Sequence, residues 1–178
     1  MRYSCRNLPE ILETAEQDGQ VLVLEEFIQG DTLDSLLRVS QFSPDQTRDI
    51  TLQLCQALRV LHSIGAVHRD VKPENVILRG RDAVLIDFDA ARLHKPSHKS
   101  DTVVLGTTGF AAPEQYGLSQ SDARADIYSL GVLINLMLTG EHPSRNLAEG
   151  RLGRVVQRCT QISPEKRYQS VIHLMEAI

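Results

Sequence analysis

Three short segments of the chain hold most of the side chains able to do chemistry. His68-Arg69-Asp70-Val71-Lys72-Pro73-Glu74-Asn75 brings a carboxylate, an ammonium and a side-chain amide into one stretch. A carboxylate can take a proton or hold a cation, an ammonium can balance anionic charge, and an amide oxygen can ligate a hard metal ion. Ile86-Asp87-Phe88-Asp89 adds two carboxylates, and Gly106-Thr107-Thr108-Gly109-Phe110-Ala111-Ala112-Pro113-Glu114 is a hydroxyl- and glycine-bearing run that ends on a third. Taken by itself, His-Arg-Asp describes a salt-bridged surface loop as well as it describes a site; Lys72 and Asn75 at their spacing decide against the bland reading. His94 and His98 share one loop at a spacing compatible with metal binding, but no cysteine or third histidine accompanies them, so they read as ordinary loop residues. Cys55, on the apolar face of a helix, reads as a packing residue.

The elements that must position these segments are legible in the hydrophobic pattern. Ser43-Pro44 opens a helix, with serine as cap, proline at the first helical position and Gln46 completing a capping box. Ile50, Leu54, Leu58 and Leu61 follow on one face, and Gly65 ends the helix. Val76 to Leu78 and Ala83 to Ile86 read as strands joined by a tight turn over Arg79 to Asp82. The His68 to Asn75 segment therefore lies between a helix and a hairpin, where a loop can present side chains into a cleft. From Ala125 onward Ile127, Leu130, Leu133, Ile134 and Met137 predict a buried helix, and Val155, Val156, Val171, Leu174 and Met175 predict two more. Near the start, Val21 to Leu24 follows Asp18-Gly19 and is expected to pair with Pro9 to Glu13 as a hairpin. The layout is α+β, a helical body carrying small hairpins.

The 178 residues suffice for one domain, and the 42% apolar and 24% charged fractions exclude a disordered or low-complexity chain. A formal net charge of -4 argues against a general binder of nucleic acid or anionic membrane, so any phosphate must be met locally. Cys5, Cys55 and Cys159 are odd in number and widely separated, which suggests neither a disulfide framework nor a zinc site and fits the cytoplasm. The most apolar stretch, Leu130 to Leu138, is too short to span a membrane and carries Asn135, so no membrane segment is expected within the chain. No signal peptide is visible.

Together the three segments resemble eukaryotic-type (Hanks-type) serine/threonine protein kinases, and the Ala-Pro-Glu-Gln wording is most similar to bacterial members. The resemblance implies a protein-kinase-like fold: a mainly helical C-terminal lobe over residues 31–178, and over residues 1–30 a two-strand remnant of the N-terminal lobe with the hinge. It implies ATP and Mg2+ as cofactors and a protein bearing serine or threonine as substrate. On it, Asp70 would accept or orient the substrate hydroxyl proton, Lys72 would stabilise charge on the γ-phosphate, and Thr107 would hydrogen-bond both. Asn75 and Asp87 would hold the metal, backbone groups of Glu26 and Ile28 would meet adenine, and Ile77 would form the pocket floor. Asp126 would accept backbone N–H bonds near His68 and Arg69, and Arg167 would pair with Glu114. Arg69 beside Asp70 implies a phosphate-binding arginine, with Ser100 and Thr102 as the phosphorylation candidates.

The sequence departs from the family at several places. Asp89 stands where the family has glycine, which narrows the backbone choices there; its carboxylate either adds to the local negative charge or points into solvent. Glu25 stands where the family has an apolar or hydroxyl residue at the back of the ATP pocket, with an exposed strand residue as the alternative. No glycine-rich loop precedes the hinge, and neither the strand lysine nor its helix glutamate is present in the 178 residues. A fragment of a longer kinase, a noncatalytic interaction module and one half of a two-chain enzyme, completed by a missing N-lobe segment, are the readings this leaves. Residues Leu22, Leu24, Ile28 and Ile77 are expected to be partly exposed as a consequence.

Overall fold

A computed structural model of the chain describes residues 5–93, 107–116 and 121–178. Strands β1 (Ile11–Gln17) and β2 (Gln20–Glu25) form an antiparallel hairpin whose Asp18-Gly19 turn has φ of 53° and 75°. Two successive positive φ values match the right-handed twist of the strands, which is why Asp-Gly is favoured there. Every residue of both strands is exposed, and β1 and β2 pair only with each other among the described strands.

The short strand β3 (Asp31–Thr32) leads into helix α1 (Leu33–Leu37), which the hydrophobic pattern does not announce; Thr32 caps it through Oγ1. Helix α2 (Pro44–Ser63) begins on the expected capping box: the Ser43 hydroxyl accepts from the Gln46 N–H, and the Gln46 side chain accepts from the Ser43 N–H. Losing such a cap costs about 1 kcal/mol. The helix stops at Ile64, where Gly65 turns left-handed with φ of 74°. Ile50, Leu54, Cys55 and Leu58 are buried as one stripe, and burial pushes the Cys55 thiol up to about 12, as befits a packing residue.

Beyond α2 come β4 (Ala66–Val67), a 3-10 turn at Pro73–Asn75, and the hairpin β5 (Val76–Arg79) and β6 (Asp82–Leu85), which sits one residue earlier on its second strand than expected. β3 adds to β5 to make a three-stranded antiparallel sheet, and β4 pairs with β7 (Arg92–Leu93). Helix α3 (Ala123–Thr139) is buried on nearly all sides and starts two residues before the expected Ala125 because Asp122 caps it. Its apolar residues meet those of α2, α4 (Gly150–Cys159) and α5 (Val171–Ala177) in one core. A Cβ at Gly131 would collide with the Cys159 side chain, so glycine is what lets α3 and α4 approach.

The N-terminal residues are tied to this helical body. Buried Asn7 donates from Nδ2 to the Ala83 carbonyl at 2.9 Å and to Gln53 Oε1 at 3.0 Å, while its own carbonyl accepts from the Leu85 N–H at 2.9 Å. Leu22 and Leu24 are more than half exposed, as expected, but Ile28 is only 6% exposed. The expectation for Ile28 was therefore wrong: just past the exposed β2 strand the chain has already turned inward at Ile28, although Phe27 beside it is exposed.

Candidate active site

The loop between β4 and the Pro73–Asn75 turn is held from beneath by one buried carboxylate. Asp126, fully buried near the start of α3, accepts from the His68 N–H at 2.9 Å, the Arg69 N–H at 2.7 Å and His62 Nε2 at 2.8 Å. This is the arrangement expected of Asp126, with His62 as an unforeseen third donor. Arg69 is thereby kept at φ 70°, a left-handed conformation that a non-glycine residue adopts at some cost. The Gln115 side chain adds a bond to the Arg69 carbonyl at 2.8 Å.

Buried His68 donates from Nε2 to the Ile86 carbonyl at 3.2 Å and accepts the Asp70 N–H at Nδ1, 3.3 Å away. A backbone N–H can only donate, so this pairing requires the neutral ring with its proton on Nε2. Burial lowers the His68 pKa, outweighing the opposing pull of Asp126, in agreement with that tautomer.

Directly above, Asp70, Lys72, Asn75 and Thr107 form a closed network. Lys72 Nζ lies 2.7 Å from Asp70 Oδ2 and 2.9 Å from Thr107 Oγ1, and the Thr107 hydroxyl donates to Asp70 Oδ1 at 2.8 Å. Asn75 Nδ2 donates to Asp70 Oδ2 and to the Asp70 carbonyl, both at 3.0 Å. Burial by itself raises the Asp70 carboxyl, but the hydrogen bonds from Lys72, Thr107 and Asn75 outweigh it and hold the group below the usual carboxylate range. Asp70 is an oriented anion at neutral pH.

A cleft of about 870 Å³ opens between the β1–β2 hairpin and the end of β6. Glu26, Ile28, Ile77 and Asp87, singled out on three separate segments of the sequence, all line it. Asp87 is exposed, with φ of 65°, and its Oδ1 accepts the Asp89 N–H at 3.2 Å; Asp89 is exposed as well. The Asn75 carbonyl accepts from the Ile86 N–H at 2.9 Å, which brings Asn75 beside the residue preceding Asp87. With Nδ2 committed to Asp70, the Asn75 amide keeps its oxygen available. Two hard oxygen donors suit Mg2+, which takes its other ligands from phosphate and water. Among the described residues no group of three or more His, Cys, Asp or Glu side chains forms a metal site by itself. The donor set fits a cation that arrives with a polyphosphate.

Thr107 begins a described segment that ends in a buried ion pair. Arg167 spends all five guanidinium hydrogens: two on Glu114, at 2.7 and 2.9 Å, and three on the carbonyls of Arg124, Gln161 and Ile162. The expected pairing of Glu114 with Arg167 is thus present.

A family model described as "Protein kinase domain" matches residues 1–175. The chain belongs to the protein kinase domain family. Among curated proteins it is 36% identical over 141 residues, 75% of its own length, to "Serine/threonine-protein kinase pkn2" of Myxococcus xanthus. It is 30% identical over 196 aligned positions, 96% of its length, to "Serine/threonine-protein kinase PknA" of Nostoc sp.. To "Serine/threonine-protein kinase PknB" of Mycobacterium tuberculosis it is 32% identical over 161 positions, 88% of its length. The chain spans 17%, 35% and 26% of the lengths of these three relatives.

For a kinase-family chain, several supports of the Thr107 segment escaped the sequence. His142 Nε2 meets the Gly109 carbonyl at 3.0 Å, the Ser129 hydroxyl donates to the Phe110 carbonyl at 2.9 Å, and Gln115 Oε1 accepts the Ala112 N–H. Gln115 lies in the Ala-Pro-Glu-Gln wording, so its position was in view without its partner; nothing in the local pattern marks His142. Ser100, Thr102, His94, His98 and Gly106 lie outside the described residues. No helix among the described residues is long and apolar enough to cross a membrane.

Proposed function

We propose that this kinase-family chain carries the phosphoryl-transfer machinery of a serine/threonine protein kinase, acting in the cytoplasm on a protein hydroxyl with Mg2+ and ATP. The observation that carries the reading is the closed network of Asp70, Lys72, Asn75 and Thr107 beside the cleft that Asp87 lines. Asp70 points its anionic carboxylate at the acceptor hydroxyl and takes its proton as the hydroxyl oxygen bonds to the γ-phosphorus and the bond from that phosphorus to the bridging oxygen breaks, releasing ADP; its low basicity makes it an orienting group first and a base late in transfer. The Lys72 ammonium, already between Asp70 and Thr107, offsets charge on the transferred group. Backbone groups of Glu26 and Ile28, with Ile77 beneath, hold the base. Asn75 and Asp87 would hold Mg2+, which would supply neutralisation of the phosphate charge there.

The 178 residues include neither a glycine-rich loop nor a strand lysine, so by themselves they should bind nucleotide weakly and transfer slowly. The second reading is a noncatalytic interaction module. Transfer of γ-phosphate to a generic serine/threonine substrate should be measured for this chain and for the chain extended through its upstream coding sequence. Turnover by the extended chain, abolished by Asp70→Asn, is the expected result. An extended chain that binds MgATP without transfer favours the interaction module, and transfer unaffected by Asp70→Asn overturns the roles given above.

A further inference from the structure

The cleft face of the β1–β2 hairpin carries a charge that phosphoryl transfer does not use. Thr14 pairs with Val23 and Ile11 with Glu25 in the ladder, and paired residues share a face of the sheet. All four line the 870 Å³ cleft, whereas Leu12, Glu13, Leu22 and Leu24 do not. Register and cavity thus agree on which way Glu25 faces. The neighbouring Glu26 carboxylate is committed, at 2.6 Å to Arg79 and 3.2 Å to the Glu10 N–H. The Glu25 carboxylate makes no hydrogen bond or ion pair among the described residues, and no described lysine or arginine lines the cleft with it.

We propose that Glu25 is a base-specificity residue, its carboxylate accepting a hydrogen bond from the exocyclic amine of adenine and repelling a base with a carbonyl oxygen at that ring position. The proposal rests on the cleft being the nucleotide site and adds a side chain that tells adenine from a six-oxo base there. A carboxylate has acceptors only. An amine at the purine six-position gives it a partner, while the carbonyl of hypoxanthine or guanine faces it lone pair to lone pair, leaving both groups desolvated and unpaired. A site built to pair one hydrogen-bonding group discriminates strongly against the analogue that lacks it. Glu25 is exposed, so the effect is smaller than in a closed pocket.

ATP and inosine triphosphate, which differ by this amine-for-carbonyl exchange and by a proton on N1 that the hinge backbone also meets, are the probes, and the change in their affinity ratio between the parent and Glu25 variants is the readout. The full chain is titrated with each in the presence of Mg2+, following backbone amides by NMR so that millimolar affinities remain readable. ATP should bind about tenfold or more tighter than inosine triphosphate. Glu25→Leu should narrow the ratio of the two affinities severalfold. Glu25→Gln, whose amide can turn either its oxygen or its nitrogen to the base, should do so mainly by improving inosine triphosphate. Because Glu25 is exposed, both variants should melt with the parent. An ATP preference undiminished in Glu25→Leu, or equal binding of the two nucleotides by the parent, overturns the role of Glu25 and leaves the transfer chemistry standing. Failure of either nucleotide to shift the residues lining the cleft, with the chain folded, overturns the nucleotide site itself and the role of Glu25 with it.

Discussion

Replacing Asp126 with asparagine keeps the shape of the side chain and removes its charge and one acceptor. Asp126 serves three donors: His68 N–H and His62 Nε2 on Oδ2, and Arg69 N–H on Oδ1. An asparagine with its oxygen in the Oδ2 position still accepts from His68 and His62 but turns an NH2 towards the Arg69 N–H. The orphaned buried donor costs about 1–3 kcal/mol, and reducing two charge-assisted bonds to neutral ones costs roughly 1 kcal/mol each, a total of about 3–5 kcal/mol. Since domains of this size are stable by only about 5–15 kcal/mol, the variant should fold but melt on the order of 10 °C lower. Urea unfolding at pH 7.5 reads the loss as a lower midpoint at unchanged slope. Amide exchange should show the Arg69 N–H losing protection ahead of the α3 amides, because the strained φ at Arg69 is no longer held. A variant within about 0.5 kcal/mol of the parent, inside the usual range for surface changes, would refute the claim that this carboxylate carries the loop.

Asp87→Asn should leave the urea midpoint unchanged, because Asp87 is exposed, while Mg2+-dependent ATP binding measured by NMR titration is lost; retained binding contradicts its place at the metal. Arg167→Lys gives up the two-pronged bond to Glu114 and three carbonyl partners in a buried setting, so it should destabilise by about 3–5 kcal/mol in urea unfolding, and parental stability would rule out a role in holding the fold. His68 has a lowered pKa in the fold, so the unfolded chain takes up its proton first. Its contribution is therefore complete above about pH 6.5 and declines as the pH falls below that; a His68→Gln variant should show a flatter loss of urea midpoint between pH 6.5 and 5. The Asp70 contribution, also from a lowered pKa, should persist until the pH falls below about 4. His142→Ala should speed amide exchange at Phe110 and Ala111 roughly fivefold, the worth of one hydrogen bond, with α3 unaffected, and unchanged exchange would remove His142 from the support of this segment.

What could be read from the sequence was local or periodic. The Ser43 cap, the Gln46 reply, the apolar stripe of α2 and the Gly80 turn between β5 and β6 each depend on neighbours a few residues away, so the pattern states them directly. Asp70, Lys72, Asn75, Asp87, Glu114, Asp126 and Arg167 were identifiable because their spacing matches a family whose geometry fixes their partners, and that match named Thr107 with them. Tertiary structure alone decided contacts between segments that no local preference links. Asn7 reaches Gln53 and Ala83, His62 joins Asp126, and His142 reaches back to Gly109. Each satisfies a polar group that the packed core withdraws from water, and which group is withdrawn depends on how helices and strands far apart in the chain come to lie together. The same reason governs Ile28 and Glu25. The path of the chain after β2 buries the one, and the β1–β2 register places the other on the cleft face of the hairpin.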